Sequence, residues 1–239
     1  MDRRTQCGAL LAGLTALALP ATSAAAPAAP AKVASAFGSA PDMLGTRAVP
    51  IRADRFSDSL KRAREDASAS PVLQRMVAPA RSLPPLQKMA FIQAAVTRSI
   101  HWISDATEWG QHDYWASASQ TLAHGAGDAK NRAIVKLHAL RALGFKNSDL
   151  FLTLARDRVG GPLTVLTVRN GGHYYVMDDT GGRPFAIEER RLEFQPVMSF
   201  GMYGAWVHVP GITIASSRPA PATITAVAAA ANGSAATRK

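Results

Sequence analysis

A glycine-rich turn leads directly into an amphipathic segment between Gly125 and Gly144, with the sequence GAGDAKNRAIVKLHALRALG. A cysteine enzyme places its thiol at the start of such a helix, because unpaired backbone N–H groups and the helix dipole favour the thiolate. The residue at that position here is Ala129. The segment therefore predicts a scaffold for a nucleophile that lacks the nucleophile, and any chemistry depends on the other reactive groups of the chain.

The N-terminal residues exclude thiol chemistry from the exported form of the chain. A short basic start is followed by the apolar run from Gly8 to Leu19 and then by small residues of the Ala-x-Ala kind, which predicts a signal peptide over residues 1–26. The run of about a dozen residues is too short to span a bilayer. The single cysteine, Cys7, would be removed with it. The mature protein, periplasmic or secreted, would then have no cysteine for catalysis, disulfides or metal thiolates.

Length and composition predict one globular domain with tails. Of the 239 residues, 47% are hydrophobic, and the net charge is +10. The basic residues alternate with acidic ones, as in the runs Lys61–Asp66 and Glu188–Arg191. This pattern is typical of a solvated surface, whereas a nucleic-acid reader concentrates its basic residues on one face. We therefore expect no nucleic-acid partner.

The elements that must position a site lie between two segments of low complexity. Residues 27–48 form a predicted flexible leader, and residues 215–239 a disordered tail rich in Ala and Pro. Residues 49–214 form the predicted domain. Its first half is helical, with short candidates at Asp58–Ala67 and Pro71–Val77, the latter capped by Ser70.

A longer helix is predicted from Pro85 to Ile103, because apolar residues recur there at steps of three and four (Leu86, Met89, Ile92, Val96 and Ile100). The second half of the domain has a strand pattern of short β-branched or aromatic runs (Asp149–Ala155, Leu163–Arg169, His173–Asp178, Arg183–Ile187 and Ala205–Val209). The glycines of Asp179–Gly182 suit a hairpin turn. Helices followed by an antiparallel sheet predict an α+β domain.

The stretch from Trp109 to Gly144 resembles the bacterial transglutaminase-like cysteine peptidases, a family with a papain-like fold. That family shows a Trp-Gly pair, an Asp-x-Trp, and a Gly-Asp-Cys-Glu-Asp-Tyr-Ala that opens a helix ending in Leu-Arg-x-Leu-Gly. The matching residues are Trp109, Gly110, Asp113, Trp115, Gly127, Asp128, Ala133, Leu140, Arg141, Leu143 and Gly144. Two later segments, Arg156–Asp179 and Pro196–Val209, resemble the strand pair and the closing strand of the family.

The resemblance implies a catalytic cysteine, histidine and aspartate, of which only the aspartate is retained. The cysteine falls on Ala129, the histidine on Leu163, and the aspartate on Asp178. A shift of one residue moves the histidine position to Pro162, which also lacks a base. We therefore expect no catalytic residues in this chain, and a pseudoenzyme.

Nearby residues do not replace the missing groups. His173 lies five residues before Asp178 on the same predicted strand, about 16 Å away and on the opposite face. Lys130, in the first turn of the helix, is expected to be a solvated charge and not a nucleophile. His124 and His138 have no partner at metal-ligand spacing, and His138 is expected at the surface or half-buried. We expect no metal site.

The resemblance also implies a calcium site formed by acidic residues that flank the cysteine. Asp128 is retained, but Lys130 and Asn131 stand where the family has Glu and Asp. One carboxylate beside an ammonium group is a poor site for a hard cation that needs six to eight oxygen ligands, so neither calcium nor another cofactor is expected. A lysine in place of an acidic residue predicts that the binding groove of the family fold attracts anionic groups here.

The remaining features favour binding over catalysis. Gly127 and Asp128 suit a turn and a helix cap, and three tryptophans are expected to be packing anchors (Trp109, Trp115 and Trp206). We hypothesise an exported binding module whose groove takes a peptide or an envelope protein, with candidate binding residues Asp128, Lys130, Asn131, Trp115 and Asp178. The alternatives are a hydrolase with a non-cysteine nucleophile, and a basic module that binds anionic envelope polymer with steep salt dependence.

Overall fold

The computed structural model describes residues 40–180, 182–190 and 193–211, so the predicted signal peptide, most of the leader and the tail lie outside the described residues. Within them, six helices pack beside a seven-stranded antiparallel sheet, which confirms the α+β class. The helices are α1 Ser57–Arg64, α2 Pro71–Val77, α3 Pro85–Ser99, α4 Asp105–Trp109, α5 Ala118–His124 and α6 Ala129–Ala142. None of them is long and apolar enough to cross a bilayer.

The sheet has the strand order β1-β9-β8-β4-β5-β6-β7, and a separate parallel pair joins β2 to β3. The strands are β1 Thr46–Ile51, β2 His101–Trp102, β3 Ala126–Gly127, β4 Leu150–Arg156, β5 Pro162–Asn170, β6 His173–Met177, β7 Phe185–Ala186, β8 Gln195–Phe200 and β9 Ala205–Pro210. The predicted closing strand Pro196–Val209 is therefore wrong as a single element. It consists of β8 and β9, which bend at Gly201–Gly204 and pair with each other.

The first strand begins before the predicted start of the domain. β1 pairs with β9 from Thr46 to Ile51, so the predicted boundary between residues 48 and 49 falls inside this strand. Composition could not reveal β1, because its partner lies at the other end of the domain. The leader therefore contributes a strand to the sheet.

The long helix α3 confirms the predicted periodic burial on one face, formed by Met89, Ile92 and Val96. Leu86, in the first turn, does not belong to this face, since it is 50% exposed. The helix ends at Ser99 and not at Ile103, because the following residues turn extended and form β2. This early end places β2 beside β3, immediately before α6.

The central helix α6 carries the segment that the sequence singled out. It packs against α3 and α5 and against the strands β4 and β5. Ile134, Val135, Ala139 and Leu140 are completely buried in the main core, which continues into the sheet through Leu166 and Phe200. Burial on every side fixes the position of this helix within the domain.

A row of hydrogen-bonded polar side chains crosses the strands β4, β8, β9 and β1. Thr153 Oγ1 lies 3.1 Å from Ser199 Oγ, which lies 2.8 Å from His208 Nε2. On the other side, His208 Nδ1 lies 3.0 Å from Thr46 Oγ1. Because Thr46 donates its proton to the Met43 carbonyl oxygen, the neutral imidazole donates from Nδ1 and accepts at Nε2. The row therefore holds one tautomer of a neutral histidine.

The buried histidine of this row predicts a loss of stability in acid. Burial lowers the pKa of His208 from 6.5 to about 4, so the unfolded chain binds a proton that the folded chain does not. The contribution of His208 to the free energy of unfolding should be constant above its unfolded pKa of 6.5. It should fall by about 3 kcal/mol as the pH drops from 6.5 to about 4. Urea unfolding across that range measures the slope.

A matched pair of variants isolates this slope. His208→Gln should flatten the acid limb, whereas His173→Gln, which changes an exposed histidine of β6, should leave it as in the wild type. An unchanged acid limb in His208→Gln would contradict the assignment.

Candidate functional site

The N-terminus of α6 has the capped geometry that the sequence predicts. Ala129 is the first residue of the helix, and Asp128 precedes it as the cap. The Oδ1 atom of Asp128 accepts hydrogen bonds from the backbone N–H groups of Lys130, at 3.0 Å, and Asn131, at 3.1 Å. Gly127 is required here, because a Cβ atom would lie 2.9 Å from the Asn131 Cβ. The turn and the cap are confirmed.

Ala129 stands where a thiol would be activated. It is half-buried, at the positive end of a helix of 14 residues. A thiolate at this point would be stabilised by the helix, but the methyl group of Ala129 can neither ionise nor attack a carbonyl. The site keeps the electrostatic frame of a nucleophile and has no nucleophile in it.

The Lys130 side chain is buried among three carboxylates and is not the solvated charge that the sequence predicted. Only 7% of the residue is exposed. Its Nζ donates to Asp105 Oδ2, lies 2.5 Å from Asp128 Oδ2 and lies 3.5 Å from Asp113 Oδ1. The expectation was wrong because two of these carboxylates come from the chain 17 to 25 residues earlier, which helix position alone does not reveal.

The same cluster keeps Lys130 protonated. Burial by itself lowers the pKa of the lysine, but its hydrogen bonds to Asp105 and Asp128 outweigh this and raise the pKa above the usual 10.5. A protonated ammonium has no lone pair for attack. These carboxylates also outnumber the ammonium three to one, so the predicted attraction of anionic groups at this point does not follow from Lys130.

Asn131 and Trp115, two of the candidate binding residues, are inside the domain. Asn131 is fully buried, accepts from the Ala116 backbone N–H at 3.0 Å and donates to Asp105 Oδ1 at 3.1 Å. Trp115 is 2% exposed and packs with an aromatic cluster that includes Phe200, as expected of an anchor. Both side chains are buried beneath the start of α6, so neither is accessible to a ligand.

Asp178, the retained acid of the family pattern, lies at the end of β6 and is 7% exposed. Its Oδ1 atom accepts from Gln93 Nε2 at 3.2 Å and from the hydroxyl of Thr180 at 2.8 Å. The next residue, Asp179, pairs with Arg132 of α6 at 2.8 Å. This ion pair joins the end of β6 to the first turn of α6, the helix that begins at Ala129.

The position aligned with the family histidine offers no base. Leu163 packs with Ala155 and Val165, in a cluster separate from the core that contains α6. Side chains alternate along a strand, so Thr164 shares a face with Leu166, which packs in the core with α6. Whichever of these β5 residues faces the helix, none of them carries an imidazole.

Two residues at this site, Asp105 and Trp102, are not among the candidates predicted from the sequence. Asp105 follows the cap Ser104 at the start of α4, and it is 3% exposed. Trp102 is 61% exposed on β2, directly across from Gly127 of β3. A cap pattern at Ser104 could have located the first, but only the pairing of β2 with β3 brings the second to the site.

Two histidines, His124 and His138, each have a partner within the domain. His124 Nδ1 lies 3.3 Å from Glu108 Oε1, and its ring centroid lies 4.6 Å from that of Trp109. Burial raises the pKa of Glu108. His138 is buried, against expectation, because its Nε2 bonds to the Ala63 carbonyl oxygen at 2.8 Å. Within the described ranges, no three His, Cys, Asp or Glu side chains are grouped to hold a metal ion.

Two cavities lie away from this site. One of about 660 Å³ is at the C-terminal end of α6, about 20 Å along the helix from Ala129, and is lined by Arg141, Lys146 and Tyr203 among others. The other, of about 510 Å³, shares Tyr203 and is also lined by the basic residues Arg52, Lys61 and Arg64. Both have basic walls, with Asp66 in the first and Asp54 in the second.

Comparison with known proteins gives one match in sequence families and several in structure. Residues 54–211 match the family described as bacterial transglutaminase-like cysteine proteinase BTLCP. Legionella pneumophila LapG is 19% identical, with 66% of this chain and 90% of that chain covered and a TM-score of 0.48. Its calcium-bound form is 18% identical, with coverage of 66% and 88% and a TM-score of 0.49. A search of curated proteins gives no match.

Proposed function

The chain belongs to the bacterial transglutaminase-like cysteine proteinase family, and on this premise we propose that it is an exported member that binds a peptide or an envelope protein without cleaving it. The signal-peptide pattern over residues 1–26 supports export to the periplasm or beyond. The geometry around Ala129 supports binding without catalysis.

The observation that carries the proposal is the methyl group of Ala129 at the first position of a capped, buried helix. The capped helix N-terminus that would stabilise a thiolate is in place, and the thiol is not. The β5 positions that could carry the general base are Pro162, Leu163 and Thr164. Because nucleophile and base act as a unit, their loss lowers turnover by on the order of 10⁶.

An alternative nucleophile finds no support at the site. Lys130 is the nearest candidate, and its ammonium is bonded to the carboxylates of Asp105 and Asp128. Deprotonation would leave the carboxylates of Asp105, Asp113 and Asp128 without the ammonium charge that balances them. We therefore propose that the protein is a pseudoenzyme and not a hydrolase with a substituted nucleophile.

The exposed indole of Trp102 favours a peptide as the ligand class. It lies beside Gly127, two residues before Ala129, and an exposed large aromatic ring costs free energy unless a partner covers it. A flat ring at the rim of a groove can pack against an apolar side chain of an extended peptide. Asp128, the cap between Gly127 and Ala129, adds a polar group to the same region.

A combined screen tests both halves of this proposal. Purified protein should hydrolyse no member of a peptide and amide substrate panel, yet a displayed library of extended peptides should yield binders. Trp102→Ala should weaken a selected peptide at least tenfold, or about 1.4 kcal/mol. Leu86→Ala, which removes a 50% exposed apolar side chain from the first turn of α3, should leave affinity unchanged. This turn contacts the far, C-terminal end of α6 through Lys88 and Leu143.

Two results would refute the proposal. One is turnover that disappears in Lys130→Ala or Asp178→Ala and persists in the control Ser119→Ala. The other is peptide affinity that Trp102→Ala leaves as it was.

The two basic cavities support a second candidate function, the capture of an anionic envelope polymer. Together they present five basic residues against two acidic ones, around the shared and exposed Tyr203. Binding to this surface should weaken steeply as salt rises, because exposed charges are screened. Lys146→Ala should reduce it, and Trp102→Ala should not. The groove at Ala129 predicts the reverse pattern for a peptide.

A further inference from the structure

We infer that the Lys130 ammonium is a built-in counter-ion that takes the place of a divalent cation at the first turn of α6. Three segments meet at its Nζ atom through the carboxylates of Asp105, Asp113 and Asp128. Asp105 begins α4, Asp113 lies in the loop after it, and Asp128 caps α6. The lysine therefore joins parts of the chain that are distant in sequence, independently of any ligand.

The remaining oxygens of the two inner carboxylates are already used. Asp128 Oδ1 caps α6, and Asp105 Oδ1 accepts from Asn131. Asp105 Oδ2 accepts from the backbone N–H of Tyr114 at 2.7 Å as well as from Lys130. The oxygens that converge on one point are those that surround the ammonium, which fills the position a metal would need.

A calcium ion does not fit this arrangement while Lys130 is present. Calcium needs oxygen ligands at about 2.3–2.6 Å, so an ion that bound Asp105 Oδ2 and Asp128 Oδ2 would have to share both oxygens with the ammonium. Two like charges that share these oxygens repel strongly in a partly buried site. The disagreement with the calcium site that the family resemblance implies thus has a direct cause, the exchange of an acidic residue for Lys130.

Charge at the site explains why the exchange is tolerated. Three carboxylates surround one ammonium, so removal of the lysine would leave three negative charges close together and uncompensated. A glutamate in place of Lys130 would raise the number of carboxylates to four and supply further oxygen ligands. Such a variant should need a divalent cation for the stability that the wild type has without one.

The test compares thermal unfolding of the full chain in millimolar CaCl₂ and in EGTA. The wild-type Tm should be equal in both within about 1 °C, whereas Lys130→Glu should lose roughly 5–10 °C in EGTA and regain most of it in calcium. Titration calorimetry should show calcium binding to Lys130→Glu and none to the wild type. Lys61→Glu makes the same change of charge at an exposed site of α1 and should give no calcium response.

A milder variant covers the case in which Lys130→Glu does not fold in EGTA. Lys130→Met keeps the aliphatic stem and the three carboxylates, and its Tm should also rise with calcium. The inference is overturned if calcium stabilises the wild type as much as the variants, or if neither Lys130→Glu nor Lys130→Met responds to it.

Discussion

Replacement of Asp105 by Ala is expected to lower the free energy of unfolding by about 4 kcal/mol, because it breaks a buried ion pair from one side. The carboxylate is 3% exposed. It accepts hydrogen bonds from the Tyr114 backbone, from Asn131 and from Lys130. The Tyr114 N–H and the Asn131 amide would lose this acceptor, and Lys130 would keep Asp128 but lose its most buried partner. An unpaired buried donor costs about 1–3 kcal/mol. Equilibrium unfolding in urea at neutral pH measures the change.

Asp113 provides the matched control for this result. It faces the same ammonium at 3.5 Å, but its side chain is 67% exposed. Exposed ion pairs contribute less than about 1 kcal/mol, and Asn keeps the oxygen that accepts from Trp115 Nε1 at 3.1 Å, so Asp113→Asn should be nearly neutral. Equal losses for Asp105→Ala and Asp113→Asn would show that burial does not determine the strength of this cluster.

Replacement of Lys136 by Met is expected to raise the free energy of unfolding by about 2 kcal/mol at neutral pH, which is unusual for a core substitution. Lys136 is 1% exposed and donates to the backbone oxygen of Asp178. Burial lowers its pKa from 10.5 to about 8, so the charged form costs about 3 kcal/mol in the folded state. The substitution removes this cost, but loss of the hydrogen bond to the Asp178 backbone oxygen offsets about 1 kcal/mol of the stabilisation.

The pH dependence of stability tests the same cause. Between the folded and unfolded pKa values of Lys136, about 8 and 10.5, the unfolded chain binds the proton and the folded chain does not. Stability of the wild type should therefore rise with pH across this interval, and Lys136→Met should lack that rise.

The control is Lys88→Met, since Lys88 also donates to a backbone oxygen, that of Leu143 at 3.1 Å, but is only half-buried. It should leave the alkaline rise unchanged and, through loss of this hydrogen bond, lower the free energy of unfolding by at most about 1 kcal/mol. An alkaline rise that persists in Lys136→Met would place its origin elsewhere in the protein.

Local patterns in the sequence were sufficient for the elements that local physics determines. The cap at Ser70 with Pro71 behind it, the cap at Asp128 and the start of α6 at Ala129 are all as predicted. Each depends on hydrogen bonds between residues two or three apart, which spacing along the chain specifies. The alanine at position 129 is likewise visible without coordinates.

Contacts between distant segments were beyond such patterns. The strand β1 was assigned in part to the leader, because its hydrogen bonds go to β9. The burial of His138 depends on a carbonyl oxygen of Ala63, 75 residues earlier. Helix α6 was expected to show an exposed face, and it is covered on all sides by elements whose positions the helical period does not encode.

The sequence by itself determined that the capped helix frame at residue 129 carries a methyl group, because residue identity decides what can ionise or attack a carbonyl. The tertiary structure decided what surrounds that frame. It placed Lys130 among Asp105, Asp113 and Asp128, and it set Trp102 beside Gly127. A residue's charge is fixed by its type, but its partners and burial depend on which distant segments the fold brings to it.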